Sequence, residues 1–364
     1  MILTPHNIVY YLLDSNLLTP ESVVDGDFMV VEHSSRNRNF KVIRKENTGY
    51  FVKQVRDPEP DAIATVRTEA TCYWLAQNDP AFAALLPLMP RFYGFDSRRH
   101  VLVTELLARS ESLNEYHRRL GDFPPEIAVQ LGKALAGYHR DVRPPADDSP
   151  HRNAFGRRLP WILSAHQLAA GLQGSGANVQ LLNIISRYPQ FQQVLEGLQR
   201  GWQATTLIHG DIKWDNCMLS ADPEGDLSIK VIDWEIADFG DPYWDVGAVF
   251  QAYLTFWIFS VPVAAQVPMA EALELAQYPL EKMQPAMHAF WRSYLETREV
   301  DDKEVRAVLR RAVQYGAARM LQTAYEYMQM ATQVSIDIIC LLQVSLNILE
   351  NPDEAIEHLL GIQV

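Results

Sequence analysis

Between residues 105 and 124 the apolar pattern of this chain changes period, and few folds accommodate such a change. Before the break, apolar residues gather in short runs: FMVVEHS from Phe28, NFKVI from Asn39 and GYFVKQV from Gly49. Val, Ile, Phe and Tyr suit a half-buried pleated surface, and the intervening stretches 34–39 and 47–49 carry the Ser, Asn and Gly of turns. Two further strands are expected over 91–95 and 101–105, joined by a polar turn at 96–99, with one amphipathic helix over 66–77. Residues 1–25 read as one or two short helices with Pro5 and Pro20 near their starts. After the break, Ile127, Leu131, Leu135 and Tyr138 recur at intervals of three and four, one face of a helix over 126–139. Residues 143–160 read as a loop, 171–176 as a break, and 281–360 as a long helical region. The expected fold is α+β and bilobal: a small, mostly antiparallel β-rich lobe over 1–105, a hinge near Glu105, and a larger, mainly helical lobe over 106–364. A chain of 364 residues can bury a sizeable core in such an arrangement, and its 48% hydrophobic content makes it globular rather than disordered.

Charge and cysteine usage narrow the partners. A formal net charge of −13 opposes non-specific nucleic-acid binding, which needs basic surface; it leaves room for a cationic partner, though solubility accounts for it equally. Cys72, Cys217 and Cys340 form no disulfide framework or metal spacing, which fits a reducing, cytoplasmic setting, and Cys217 reads as a core thiol. No secretory signal is visible at the N-terminus. The run 246–270 holds no charged residue, but Pro262 and Pro268 interrupt it, so a buried core helix is expected and no membrane span.

The chemistry concentrates in LIHGDIKWDN (207–216), an apolar strand leading into a loop. An Asp followed five residues later by an Asn is what metal-dependent phosphoryl transfer needs: Asp211 to orient an attacking hydroxyl, and the amide oxygen of Asn216 to hold Mg²⁺ on nucleotide phosphates. Two aspartates compete as the second metal ligand. Asp238-Phe-Gly240 spells the protein-kinase magnesium motif, but Asp233 sits directly at the end of the strand SIKVI (228–232), where it faces Asn216 across a hairpin. Asp233 is therefore assigned to Mg²⁺ with Asn216, as a hard cation takes oxygen ligands and retains waters. Gly210 reads as relief for a tight backbone, and Asp245 as the N-cap of the following helix.

HGDIKWDN followed by VIDWEIADFGDPYWDVG resembles the signature pair of the aminoglycoside phosphotransferase/choline kinase-like family, within the protein-kinase-like fold. The resemblance is strongest over 207–250, and ALAGYH ending at His139 is consistent with it. It implies a nucleotide-binding N-terminal lobe and a C-terminal catalytic lobe that also binds the acceptor, with ATP and Mg²⁺ as cofactors. It also selects Asp233, makes His209 a structural brace, and has Asp245 accept hydrogen bonds from the catalytic loop. Lys53 would contact the α- and β-phosphates and pair with Glu69, with Arg67 as a competing partner. Backbone groups of Glu105 and Leu107 would hold the adenine. Lys213 stands where protein kinases place a lysine on the transferring phosphate, and a solvated loop lysine remains the alternative. The chain departs from protein kinases in lacking GxGxxG: HSSRNRN (33–39) stands there instead, with Ser35, Asn37 and Arg38 as phosphate-loop candidates beside a plain hairpin turn.

The expected activity is ATP-dependent transfer of a γ-phosphate to a hydroxyl of a small-molecule acceptor. A peptide or protein kinase has only Lys213 in its favour. A catalytically idle nucleotide-binding scaffold has against it the joint presence of Asp211, Asn216, Asp233 and Lys53. Asp147, Asp148, Glu296, Glu299, Asp301 and Asp302 are either solvated surface or a receptor for a cationic acceptor. Nothing in the sequence fixes an oligomeric state.

Overall fold

The computed structural model describes every residue except 34–35, 46–47, 147–150, 152, 165–174, 222–226, 263–272 and 364. It divides into two compact units, Met1–Ser112 with Asn216–Ala237, and Leu113–Asp215 with Asp238–Val364. Both are assembled from segments distant in the chain.

The first unit opens with helices α1 (Ile8–Asp14) and α2 (Pro20–Val24), Pro20 taking the first helical position, where its missing N–H costs nothing. Strands β1 (Phe28–Glu32), β2 (Arg38–Arg44), β3 (Tyr50–Gln54), β4 (Phe92–Asp96) and β5 (Val101–Glu105) form an antiparallel sheet in the order β1-β2-β3-β5-β4. Alternation along β2 turns Phe40 and Val42 into a core with Val52, Val101, Val103 and residues Leu3, Ile8 and Leu12 of the N-terminal segment. Helix α3 (Pro60–Asn78) begins at Pro60, a full turn and more before the span expected from its apolar pattern. Its inward residues Val66, Glu69, Ala70, Tyr73 and Ala76 keep helical spacing, while Arg67 is exposed. A glutamate on a buried stripe is the exception that points to function.

Strand β6 (Ser110–Ser112), not foreseen in the sequence, adds to the hairpin of strands Cys217–Ala221 and Leu227–Val231. Register there pairs Cys217 with Val231, and the Ile232 N–H donates to the Asn216 carbonyl at 2.9 Å. The open end of the hairpin thus carries Asn216 on one arm and Asp233 on the other.

In the second unit the Pro125–Asp141 helix packs along Leu280–Arg298, and Tyr243–Ile258 along Val305–Tyr327. The latter pair crosses glycine to glycine. A Cβ on Gly247 would lie 2.4 Å from the Ala312 carbonyl oxygen, and one on Gly316 would lie 2.8 Å from that of Gly247. Strand Thr206–Ile208 pairs with Asp238–Gly240, Ile208 opposite Asp238. The apolar run after Asp245 forms the nearly fully buried Tyr243–Ile258 helix, and among the described residues no helix is long and apolar enough to cross a membrane. Pro268 lies outside the described residues.

Candidate active site

Within the β-rich unit, a cavity of about 310 Å³ has Phe51, Leu102, Met218 and Ile232 among its apolar walls, and Lys53, Glu69, Asn216 and Asp233 as polar groups. Lys53 Nζ lies 2.7 Å from Glu69 Oε2 and 2.7 Å from Asp233 Oδ1. Burial alone would lower the Lys53 pKa, but the carboxylates of Glu69 and Asp233 hold its ammonium well above the ordinary lysine value. Glu69 has the opposite problem. Burial pushes it up to about 7 against the pull of Lys53, because one ammonium serves two carboxylates.

Asp233 adopts φ 67°, a left-handed conformation that Asp tolerates better than most L-residues. The backbone next to it is pinned by Trp234, which is fully buried and donates its indole N–H to the Val231 carbonyl at 2.9 Å. Two residues on, Glu235 pairs with Arg36 of the β1–β2 connection at 2.9 Å. Ser35 lies outside the described residues, and Arg38 is not among the described residues lining the cavity. Asn37 is buried but absent from the lining too. The neighbours that do line it are His33, Asn39 and Lys41; Asn39 stands opposite Lys53 in the β2–β3 register and Lys41 opposite Phe51. Period-two alternation, counted from Lys53 across to β2, would have selected Asn39 and Lys41 over Arg38. Glu105 and Leu107 line the cavity as well. The Glu105 N–H donates to the Arg91 carbonyl and the Leu107 carbonyl accepts from Ser110 Oγ.

The helical unit holds Asp211. Gly210 takes φ 82°, and the N–H groups of His209 and Gly210 donate to the two oxygens of Asp245 at 2.7 and 3.0 Å. Tyr138 donates its hydroxyl to Asp245 as well, and His139 Nε2 lies 3.3 Å from it. Asp245 is therefore not an N-cap. Pro242 occupies that position, and the Asp245 carboxylate, in the first turn of the helix, is engaged with the loop. His209 Nδ1 accepts the Asp211 N–H at 3.2 Å, a bracing contact.

Asp211 Oδ2 accepts from Lys213 Nζ at 2.7 Å, and Oδ1 lies 3.3 Å from the Arg319 guanidinium. Burial raises the Asp211 pKa, but Arg319 and Lys213 outweigh it and hold the carboxyl below its ordinary value. Arg319 was not anticipated. Its sequence signal is that it is the lone charge in the run 312–325. Asp238 is engaged elsewhere: its carboxylate accepts the N–H groups of Arg157, Arg158 and Phe239 and is almost fully buried. Glu296, Glu299, Asp301 and Asp302 are exposed, Glu296 lying 3.8 Å from Arg292, and Asp147 and Asp148 fall outside the described residues.

Residues 27–280, more than half the chain, match the phosphotransferase enzyme family (APH). The chain belongs to that family. Among solved structures, this phosphotransferase-family chain is similar to an ethanolamine kinase from Plasmodium vivax (15% identity, 94% of this chain and 87% of the other, TM-score 0.59). It is also similar to APH(2")-IIia in complex with GDP and kanamycin (13%, 96% and 99%, TM-score 0.54) and to APH(2")-IIa in a ternary complex with streptomycin and ATP (13%, 95% and 97%, TM-score 0.50). At these identities the likeness shows the kinase-like fold. A curated relative, acyl-CoA dehydrogenase family member 10 of Mus musculus, is 43% identical over 51 residues, 14% of this chain. That match spans only 5% of the mouse protein.

Proposed function

We propose that this chain is an ATP- and Mg²⁺-dependent kinase that phosphorylates a hydroxyl of a small molecule. The observation that carries the reading is the buried ammonium of Lys53, 2.7 Å from both Glu69 and Asp233 on the wall of a cavity that also presents Asn216. A structural ion pair needs one carboxylate; a second, half-exposed one at a strand end is what a metal-bound polyphosphate needs. Asn216 and Asp233 offer hard oxygen donors, and no group of three or more His, Cys, Asp or Glu able to hold a metal occurs among the described residues. Two protein ligands completed by water and phosphate oxygens suit Mg²⁺ better than Ca²⁺ or Zn²⁺. When bound, the ion supplies charge neutralisation on the phosphates.

Lys53 would then contact the α- and β-phosphates while Glu69 steers it. A base held at the hinge would use the Glu105 carbonyl and the Leu107 N–H, since the complementary groups of both residues are engaged. Asp211 accepts a hydrogen bond from the acceptor hydroxyl, aiming its oxygen lone pair at the γ-phosphorus. The new O–P bond forms as the bond to the β–γ bridging oxygen breaks, ADP leaves, and the hydroxyl proton departs by way of Asp211. Lys213, half-exposed beside Asp211, would offset charge developing on the γ-phosphate. The small molecules in the names of the similar structures (an ethanolamine kinase, and complexes with kanamycin and with streptomycin) support a small hydroxylated acceptor over a peptide. An acceptor screen reading ADP release tests this. Turnover is expected with small alcohols and absent with peptides and with Asp211→Asn; ATP turnover equal in the mutant refutes it.

A further inference from the structure

Arg319 reaches the catalytic loop from the Val305–Tyr327 helix, far along the chain. Its guanidinium donates to the Gly210 carbonyl at 2.7 Å and to the Ile212 carbonyl at 3.3 Å, flanking Asp211 on both sides, and lies 3.3 Å from Asp211 Oδ1. It stacks 5.3 Å from the centre of the Trp244 ring, and Trp244 donates its indole N–H to the same Gly210 carbonyl. The residue is 4% exposed. Three acceptors and an aromatic face leave the planar fork little freedom. Lys213, the other cation on Asp211, is a long side chain 46% exposed.

The two cations therefore differ in kind. We propose that Arg319 is a positioning residue for phosphoryl transfer: it locks Oδ1 of Asp211 permanently, so that Oδ2, which Lys213 can vacate, is the single oxygen offered to the acceptor hydroxyl. This rests on the kinase reading of Asp211. It also changes what Asp211 does. A carboxylate held by a fixed guanidinium stays ionised and orients the hydroxyl; the proton is shared with Oδ2 while the O–P bond forms and then passes on to phosphate or solvent. Among the described residues of its unit, the charged or titratable groups facing Asp211 are Arg319, Lys213 and the His209 ring, and the Arg319 guanidinium is the one that also donates to two backbone carbonyls.

The test uses the full chain with Arg319→Gln, which removes the charge, and Arg319→Lys, which keeps the charge and loses the fork. With ATP and an acceptor found by screening, Arg319→Gln is expected to lower kcat about 10²-fold, with KM for ATP changed little. Its acidic limb should move to higher pH, and Arg319→Lys should restore the limb but only part of kcat. A folded Arg319→Gln with wild-type kcat and an unmoved limb overturns the proposal. A second measurement needs no turnover and no variant at Arg319: the ¹³C titration of the Asp211 carboxyl in wild-type protein, assigned by its loss in Asp211→Asn. Titration below the ordinary aspartate range is expected, and titration at or above it overturns the proposal even if Arg319→Gln fails to fold. Absence of any ADP release by wild-type protein would count against the kinase reading alone, since the carboxyl titration stands apart from it.

Discussion

The two polar clusters of this molecule use the same ingredients in opposite proportion. Around Lys53 one cation is shared by two carboxylates, and the more deeply buried carboxylate, Glu69, is pushed up to about 7. Around Asp211 one carboxylate is shared by two cations and is held below its ordinary value. Burial raises both: at Glu69 it outweighs the pull of Lys53, whereas at Asp211 the two cations outweigh it. On the proposed function, Asp233 would exchange its cation for a metal in the first cluster, and Lys213 would turn to a phosphate in the second.

The largest effects should separate the clusters by what they bind. Asp211→Asn and Asp233→Asn are each expected to lower kcat about 10³-fold. Calorimetry should then find Mg²⁺-dependent nucleotide binding intact in the first and lost in the second. Loss in both would erase the distinction. Next, Lys53→Met removes the ammonium that pairs with both Glu69 and Asp233 and should destabilise the fold by about 3 kcal/mol in denaturant unfolding, because like charges are left buried. A cost under about 1 kcal/mol would mean that the carboxylates are not held by Lys53.

The clusters should also answer pH with opposite sign. A carboxyl raised in the folded state stabilises it fully below its ordinary value of 4.5, and that contribution is lost as pH rises through about 7. Melting temperature, compared with Glu69→Gln, should therefore fall by a few degrees between those limits. Asp211 is depressed instead. Its contribution is present above its ordinary value of 3.8 and is lost as pH falls through the folded value, and the comparison with Asp211→Asn should show it. Slopes of the same sign would break the contrast. The smallest effect on turnover is expected from Asp238→Asn: stability falls by about 1 kcal/mol as hydrogen bonds to the Arg157 and Arg158 N–H groups weaken, while kcat stays near wild type. A kcat loss matching that of Asp233→Asn would return the metal to Asp238.

Much of this was legible in the chain. The break in period separated strands from helices, and hairpin geometry put Asn216 and Asp233 at one open end because each adjoins a strand whose register is fixed by alternation. Strand alternation could turn Lys53 inward, but only the family resemblance named Glu69 as its partner, and the structure brings the two to 2.7 Å. The β1–β2 connection was less legible: with no glycine pattern to constrain the turn, its polar residues Ser35, Asn37 and Arg38 were the candidates, whereas the cavity lining takes His33, Asn39 and Lys41. For Asp245 the local pattern offers only a cap, which Pro242 takes instead; the hydrogen bonds to the loop of His209 and Gly210 were expected from the family resemblance alone.

The sequence by itself determined the fold class, the family and the residues whose spacing is local: Asp211 with Asn216, and Asp233 at the end of its strand. Only the tertiary structure decided that the Arg319 guanidinium meets Asp211. That contact depends on two helices crossing closely enough for Gly247 to touch Gly316, which carries the guanidinium, one turn further on, to the carbonyl of Gly210. Residues 108 positions apart share no periodicity, so no pattern in the chain could have paired them.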